Sequence, residues 1–353
     1  MDLCRTLALR WHGAERERPR DCAAVVATAE QYRLTPALFE AAREANLLDW
    51  FDGGLTDRLR AEYAANVVTN AHLGRQLGEC LDALNRHGIE PVVLKGALGL
   101  IERRSRFARM MTDLDLLVAP DAIDAACDAL RTLGYSILPG PGAAARFEWS
   151  AHRADLGAPI DLHRALGVGA VAEVLDTTVV VGRATAHEID GVRFLALDPA
   201  DQLVHAVVHS QCNDKAHRTG AISLRQLHNF ALLYDGIEDA SAWPRAVERL
   251  AAAGLGSIVG AHAELERHLF GLDLLVPIST LATKAHRARC MATYAIPHLS
   301  DIETNVLLAF ETPTMATRYP GAPLSSARLH HAWASVRGGL GALRKEALRP
   351  RNH

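Results

Sequence analysis

Met111-Thr112-Asp113-Leu114-Asp115-Leu116-Leu117-Val118 decides how the rest of this chain is read. It is an apolar run interrupted by two carboxylates two positions apart. On a strand that spacing puts both side chains on one face, about 7 Å apart along the chain. Two like charges on a strand of Leu and Val are destabilising unless something offsets them. Either the strand has one wet face, or a divalent cation sits there, because all-oxygen carboxylate sites suit Mg²⁺ or Mn²⁺.

Upstream lies Pro91-Val92-Val93-Leu94-Lys95-Gly96-Ala97-Leu98, which reads as a short buried strand, a glycine turn and a helix start. Free N–H groups at such a helix start can hold phosphate oxygens, which makes Lys95 and Gly96 candidate nucleotide-binding residues. The chain has 38 basic residues, and only Lys95, Lys215, Lys284 and Lys345 are lysine. Lys95 is therefore either a chosen ligand or a strand-end lysine with its stem on apolar surface. Between the two strands lies Arg103-Arg104-Ser105-Arg106-Phe107-Ala108-Arg109. Arg109, four residues before Asp113, is placed to reach the acids or a triphosphate with its planar fork.

A third acid stands in Ile160-Asp161-Leu162-His163. Two-metal transfer to a nucleotide's α-phosphate uses three acids, the third helping to activate the attacking hydroxyl. Asp161 is the candidate for that role. His163 shares its strand face as a phosphate contact, a proton carrier or a packed residue. Farther on, His205 and His209 are one helical turn apart. With no glutamate between them they do not form a metalloprotease signature, and they read as packed histidines lining a cleft. Lys215 and Arg225 are further candidates to face the nucleotide.

Around these motifs the pattern is helix, short strands, helix. Residues 21–86 are alanine-rich with a stripe of Leu73, Leu77, Cys80, Leu81 and Leu84, and Gly88 stops the helix. A helix is expected over 121–133, with strands near Tyr135–Leu138, Phe147–Leu156 and Val192–Leu197 and a turn at Gly140-Pro141-Gly142. Asp198 followed by Pro199 signals a capped helix start. The Gly338-Gly339-Leu340-Gly341 run follows no strand and reads as tail. The expected fold is α+β: a small mixed sheet flanked by helical parts, divided as 1–88, 89–198 and 199–353. Residues 240–325 carry no readable chemistry.

Taken together, Lys95-Gly96, Arg109, Asp113-Leu114-Asp115, Asp161-Leu162-His163 and Leu197-Asp198-Pro199 resemble a family of uncharacterised nucleotidyltransferases in the DNA-polymerase-β-like superfamily. Leu34-Thr35-Pro36 and the helix around Asn66 and Asn70 extend the likeness over about residues 30–235. Many superfamily members carry Gly-Ser where this chain has Lys95-Gly96. The resembled family and the related abortive-infection toxins use the Lys-Gly form. The resemblance implies transfer of a nucleoside monophosphate from an NTP such as ATP, with Mg²⁺ or Mn²⁺ held by Asp113, Asp115 and Asp161. It does not identify the acceptor. A small molecule or peptide natural product, tRNA as in toxin-like enzymes, and a non-catalytic nucleotide-binding regulator all stay open.

Composition narrows the setting. A net charge of −3 is no nucleic-acid signature, although the tail after Ser325 holds Arg328, Arg337, Arg344, Lys345, Arg349 and Arg351 against Glu346 alone. The chain shows no long uncharged apolar run and no signal-peptide order at Met1–Arg5, so no membrane association is expected. Six scattered cysteines without a C-x-x-C pair fit a reducing cytoplasm.

Overall fold

The 34-residue helix α4 (Gly53–Arg86) follows directly from the leucine stripe. Asp52 caps it by accepting from the Leu55 amide at 2.9 Å, and Gly88 ends it in the left-handed region at φ +74°. The computed structural model describes residues 1–8, 18–102, 108–140, 148–156, 158–276 and 280–295. The arginines at 103–106, most of the expected turn after Gly140, the 338–341 glycine run and the basic tail lie outside the described residues.

Before α4 come α1 (Asp2–Ala8), α2 (Cys22–Gln31) and α3 (Thr35–Glu44). The middle of the chain supplies β1 (Val92–Val93), α5 (Lys95–Glu102), β2 (Leu114–Leu117), α6 (Ile123–Thr132), β3 (Ser136–Pro139), β4 (Glu148–His152) and β5 (Ile160–His163). Then follow α7 (Ala170–Val174), α8 (Thr177–Arg183), β6 (Thr185–Ile189) and β7 (Val192–Ala196). Helices close the described chain: α9 (Pro199–Val208), a π-type turn at His209–Asn213, α10 (Ala216–Thr219), α11 (Leu224–Gly236), α12 (Ala242–Ala252), α13 (Gly256–Phe270) and α14 (Leu281–Ala295).

The seven strands form one mixed sheet in the order β3-β4-β5-β2-β1-β7-β6. β2 runs parallel to β5 and β1 parallel to β7; the other pairs are antiparallel. Period-two alternation then sorts the side chains. Leu114, Leu116, Ile160 and Leu162 enter the core beneath α4 and α6. Asp115, Leu117, Asp161 and His163 occupy the alternate positions, and Leu117 packs into a second core with Val204, Val207 and Phe230 of α9 and α11. The acids therefore lie on the sheet face that the C-terminal helices cover.

A third core joins Leu3 and Leu7 of α1 and Leu38 and Phe39 of α3 to Leu265 and Phe270 of α13. The N-terminal and C-terminal helices thus share one core, and α4 links it to the sheet through Leu59 at one end and Leu84 at the other. The fold is α+β, as expected. The strands after Tyr135 and from Val192 fall where the sequence placed them. The edge strand β6 was not anticipated, because Thr185-Ala186-His187-Glu188-Ile189 is polar and exposed. Its hairpin with β7 turns on Asp190 and Gly191, both at positive φ, the Asp-Gly pair that such turns favour. One local expectation is corrected. The left-handed residue after β1 is Lys95 (φ +49°), while Gly96 lies inside α5. Among the described residues no helix is long and apolar enough to cross a membrane. All six cysteines are free.

Residues 240–276 and 280–295 prove to be a mostly helical layer with buried polar chemistry of its own. His262 and Glu266, one turn apart on α13, are 1% and 0% exposed, with Nε2 and Oε1 3.5 Å apart. Burial drives both neutral: it lowers His262 to about 3 and raises Glu266 well above its usual range. A carboxyl raised in the folded state stabilises fully only below its unfolded value. That stability is lost as pH rises toward the folded value. Glu266→Gln is therefore expected to gain stability relative to wild type as pH rises above about 4.5. Urea midpoints at about pH 5 and about pH 8 check this; a gain no larger at the higher pH contradicts it.

Candidate active site

The register of β2 on β5 sets Asp115 directly beside Asp161. Asp113 precedes β2 by one residue and shares the face of Asp115, with the Thr112 hydroxyl donating to it at 3.3 Å. The three predicted acids therefore converge on one end of two neighbouring parallel strands. Asp115 is 3% exposed. Its Oδ1 accepts from Lys95 Nζ at 2.8 Å and from His163 Nε2 at 3.0 Å. Burial pushes this carboxyl up, but Lys95 and His163 outweigh it and hold Asp115 well below the usual carboxylate range. Asp161 moves the other way. Burial raises it and the charges of Asp115 and Asp113 add to the rise, against a 2.7 Å hydrogen bond from the Ser150 hydroxyl.

Ser150 and Glu148 come from β4, and sequence reasoning missed both. They pair in register with Asp161 and His163, so they face the same way. Glu148 Oε2 lies 3.8 Å from His163 Nδ1. Burial raises Glu148, and Asp161 and Asp115 raise it further against His163. The signal was the alternation Glu148-Trp149-Ser150, which becomes informative only once β4 is known to pair with β5.

Arg109 enters from the segment before β2. Its carbonyl accepts from Asn66 at 3.2 Å and from Asn70 at 2.8 Å, so α4 fixes the position of this arginine. Burial lowers the Arg109 guanidinium to about 10, with Arg225 adding and Asp115 and Asp113 opposing. Gly96 makes room for it: a Cβ there would come within 2.7 Å of Arg109 Nε and would overlap the Met111 thioether. Lys95, Arg109, Asp113, His205, His209 and Arg225 line a cleft of about 160 Å³. A neighbouring cavity of about 650 Å³ shares Lys95, Arg109 and Met111 and runs beneath Leu232, Leu233 and Ile237.

His205 and His209 stand on the wall of this cleft, their rings edge to face with centroids 6.0 Å apart. Burial, with Lys95 nearby, drives both toward the neutral form, His209 to about 4. Arg225 faces the cleft from α11. Lys215 does not line it; it sits left-handed at φ +59° ahead of α10.

Three carboxylates are the donor chemistry that suits a hard cation; burial and then the charges of Asp115 and Asp113 raise Asp161. As the side chains stand, no group of three or more His, Cys, Asp or Glu among the described residues is gathered closely enough to hold a metal. Asp115 is already paired with the Lys95 ammonium.

No curated protein matches the chain. Residues 18–271 match the model of a family described as uncharacterised nucleotidyltransferase. The match takes in every site residue named above and more than half of the 353 residues, and the chain belongs to this nucleotidyltransferase family.

Proposed function

We propose that the protein is a metal-dependent enzyme that moves a nucleoside monophosphate from an NTP to a hydroxyl-bearing or phosphate-bearing acceptor. The observation that carries this reading is Asp113, just ahead of the in-register Asp115–Asp161 pair, lining a cleft walled by Lys95, Arg109 and Arg225. Three cationic side chains beside three acids match a triphosphate on one side and a reacting hydroxyl on the other.

Asp113, Asp115 and Asp161 would hold Mg²⁺ or Mn²⁺, which neutralises phosphate charge and lowers the pKa of a bound hydroxyl. Arg109 and Arg225 bind and orient the triphosphate through planar, charge-assisted hydrogen bonds. Asp161, directly beside Asp115 in the parallel pairing, takes the proton of the acceptor hydroxyl. His163 keeps Asp115 in place. The oxygen attacks the α-phosphorus, the bond to the bridging oxygen breaks, and pyrophosphate leaves with the charge. Positioning and fixed charge supply most of the acceleration.

The roughly 650 Å³ cavity beside the cleft is of a size that favours a small molecule or peptide segment as acceptor over tRNA. Incubation with each α-labelled NTP and Mg²⁺ tests this: label is expected on a small molecule or peptide from a cell extract. Label on tRNA selects the toxin-like reading, and NTP binding with no label transferred selects a regulator.

A further inference from the structure

Lys95 stands in an unexpected conformation for its type. It takes up the left-handed backbone at φ +49°, which glycine tolerates and lysine rarely adopts, although a glycine is the very next residue. From there its ammonium reaches Asp115 Oδ1 at 2.8 Å, the same oxygen that accepts from His163. Among the described residues neither Asp113 nor Asp161 forms an ion pair, whereas one oxygen of Asp115 takes both Lys95 and His163.

The two groups on that oxygen are not alike. His163 is fixed by the pairing of β5, and its other nitrogen faces Glu148. Lys95 has a long flexible stem, its side chain is 22% exposed, and it lies on the wall of both the cleft and the larger cavity. It can therefore leave Asp115 for an anion in the cleft without disturbing the sheet. A divalent cation and an ammonium cannot share Asp115 in a buried setting, because their repulsion is little screened there.

We infer that Lys95 is a built-in counter-ion that keeps divalent cations off the carboxylates until a nucleotide's phosphates draw its ammonium away. Metal and nucleotide then enter together, and the acids do not collect metal in the free enzyme. This rests on the metal-dependent reading of the site given above. It makes Lys95 a positioning residue with two successive partners, Asp115 and then phosphate. A lysine serving phosphate alone would leave the metal affinity of the free protein unchanged when removed.

Mn²⁺ binding to the nucleotide-free protein, followed by paramagnetic resonance of the free ion, tests the inference in wild type, Lys95→Met and Lys95→Gly. Glycine suits the left-handed position, so Lys95→Gly keeps the test valid should Lys95→Met fold poorly. Both variants are expected to bind Mn²⁺ at least about tenfold more tightly than wild type. Adding Asp115→Asn to Lys95→Gly is expected to remove the gain. Wild type binding as tightly as the variants would overturn the lock and leave the metal site standing. A gain that survives Asp115→Asn would also overturn it, by placing the ion elsewhere. No binding to any of the proteins would overturn both the lock and the metal-dependent reading.

Discussion

Asp115→Asn is expected to lower nucleotidyl transfer by at least about 10³-fold with the fold intact. Asparagine keeps the size and the carbonyl oxygen that Lys95 and His163 contact, so the local packing survives. What disappears is the negative charge that, despite burial, Lys95 and His163 hold on Asp115. Removing that charge also relieves the repulsion on Asp161, which limits any loss of stability. Asp161→Asn is expected to lose transfer comparably, since an amide cannot accept the acceptor's proton. Near-ultraviolet dichroism confirms the fold, and α-labelled NTP reports the rate. Asp115→Asn within about tenfold of wild-type activity would remove Asp115 from the chemistry.

The second large effect is on stability. Asp201, on α9, is 0% exposed and receives Arg183 through two hydrogen bonds of 2.8 Å, and Arg249 of α12 donates to one of the same two oxygens. Arg249 and Arg245 also reach Asp198, the cap of the same helix. This network fastens α9, which carries His205 into the cleft and leads directly into His209, between α8 and α12. Asp201→Ala leaves two half-buried guanidinium groups facing each other across a void. Breaking a buried pair from one side costs about 3–5 kcal/mol, and the partial exposure of the arginines puts the expectation at about 3 kcal/mol. Urea unfolding measures it, and a loss below about 1 kcal/mol would show that the network is dispensable.

How much of this was legible in the sequence depends on the range of the interaction. Local signals held up where one element decides: the stripe of α4, the stop at Gly88, the Asp198-Pro199 start of α9 and the strand at Val192. The i, i+2 spacing placed Asp113 and Asp115 on one face because strand period alone sets that. The sequence singled out Asp161 as a third acid, but its place beside Asp115 depends on a parallel pairing between segments 46 positions apart, which only the register shows. Glu148 and Ser150 stayed hidden because β4 looks like any amphipathic strand until its neighbour is known. The left-handed Lys95 was hidden for another reason: Gly96 beside it is the residue to which sequence reasoning assigns such a turn. The Arg183–Asp201–Arg249 network and the His262–Glu266 pair carry no motif at all, since their partners meet only through helix packing.

The most direct test of the central claim is calorimetric titration of ATP, GTP, CTP and UTP, each with Mg²⁺, into wild type and the Asp113→Ala/Asp115→Ala double variant. Metal-dependent binding of at least one NTP to wild type, lost in the folded double variant, is the predicted result. Equal binding by both proteins, or binding that ignores Mg²⁺, would contradict a carboxylate-metal nucleotide site at this end of the sheet.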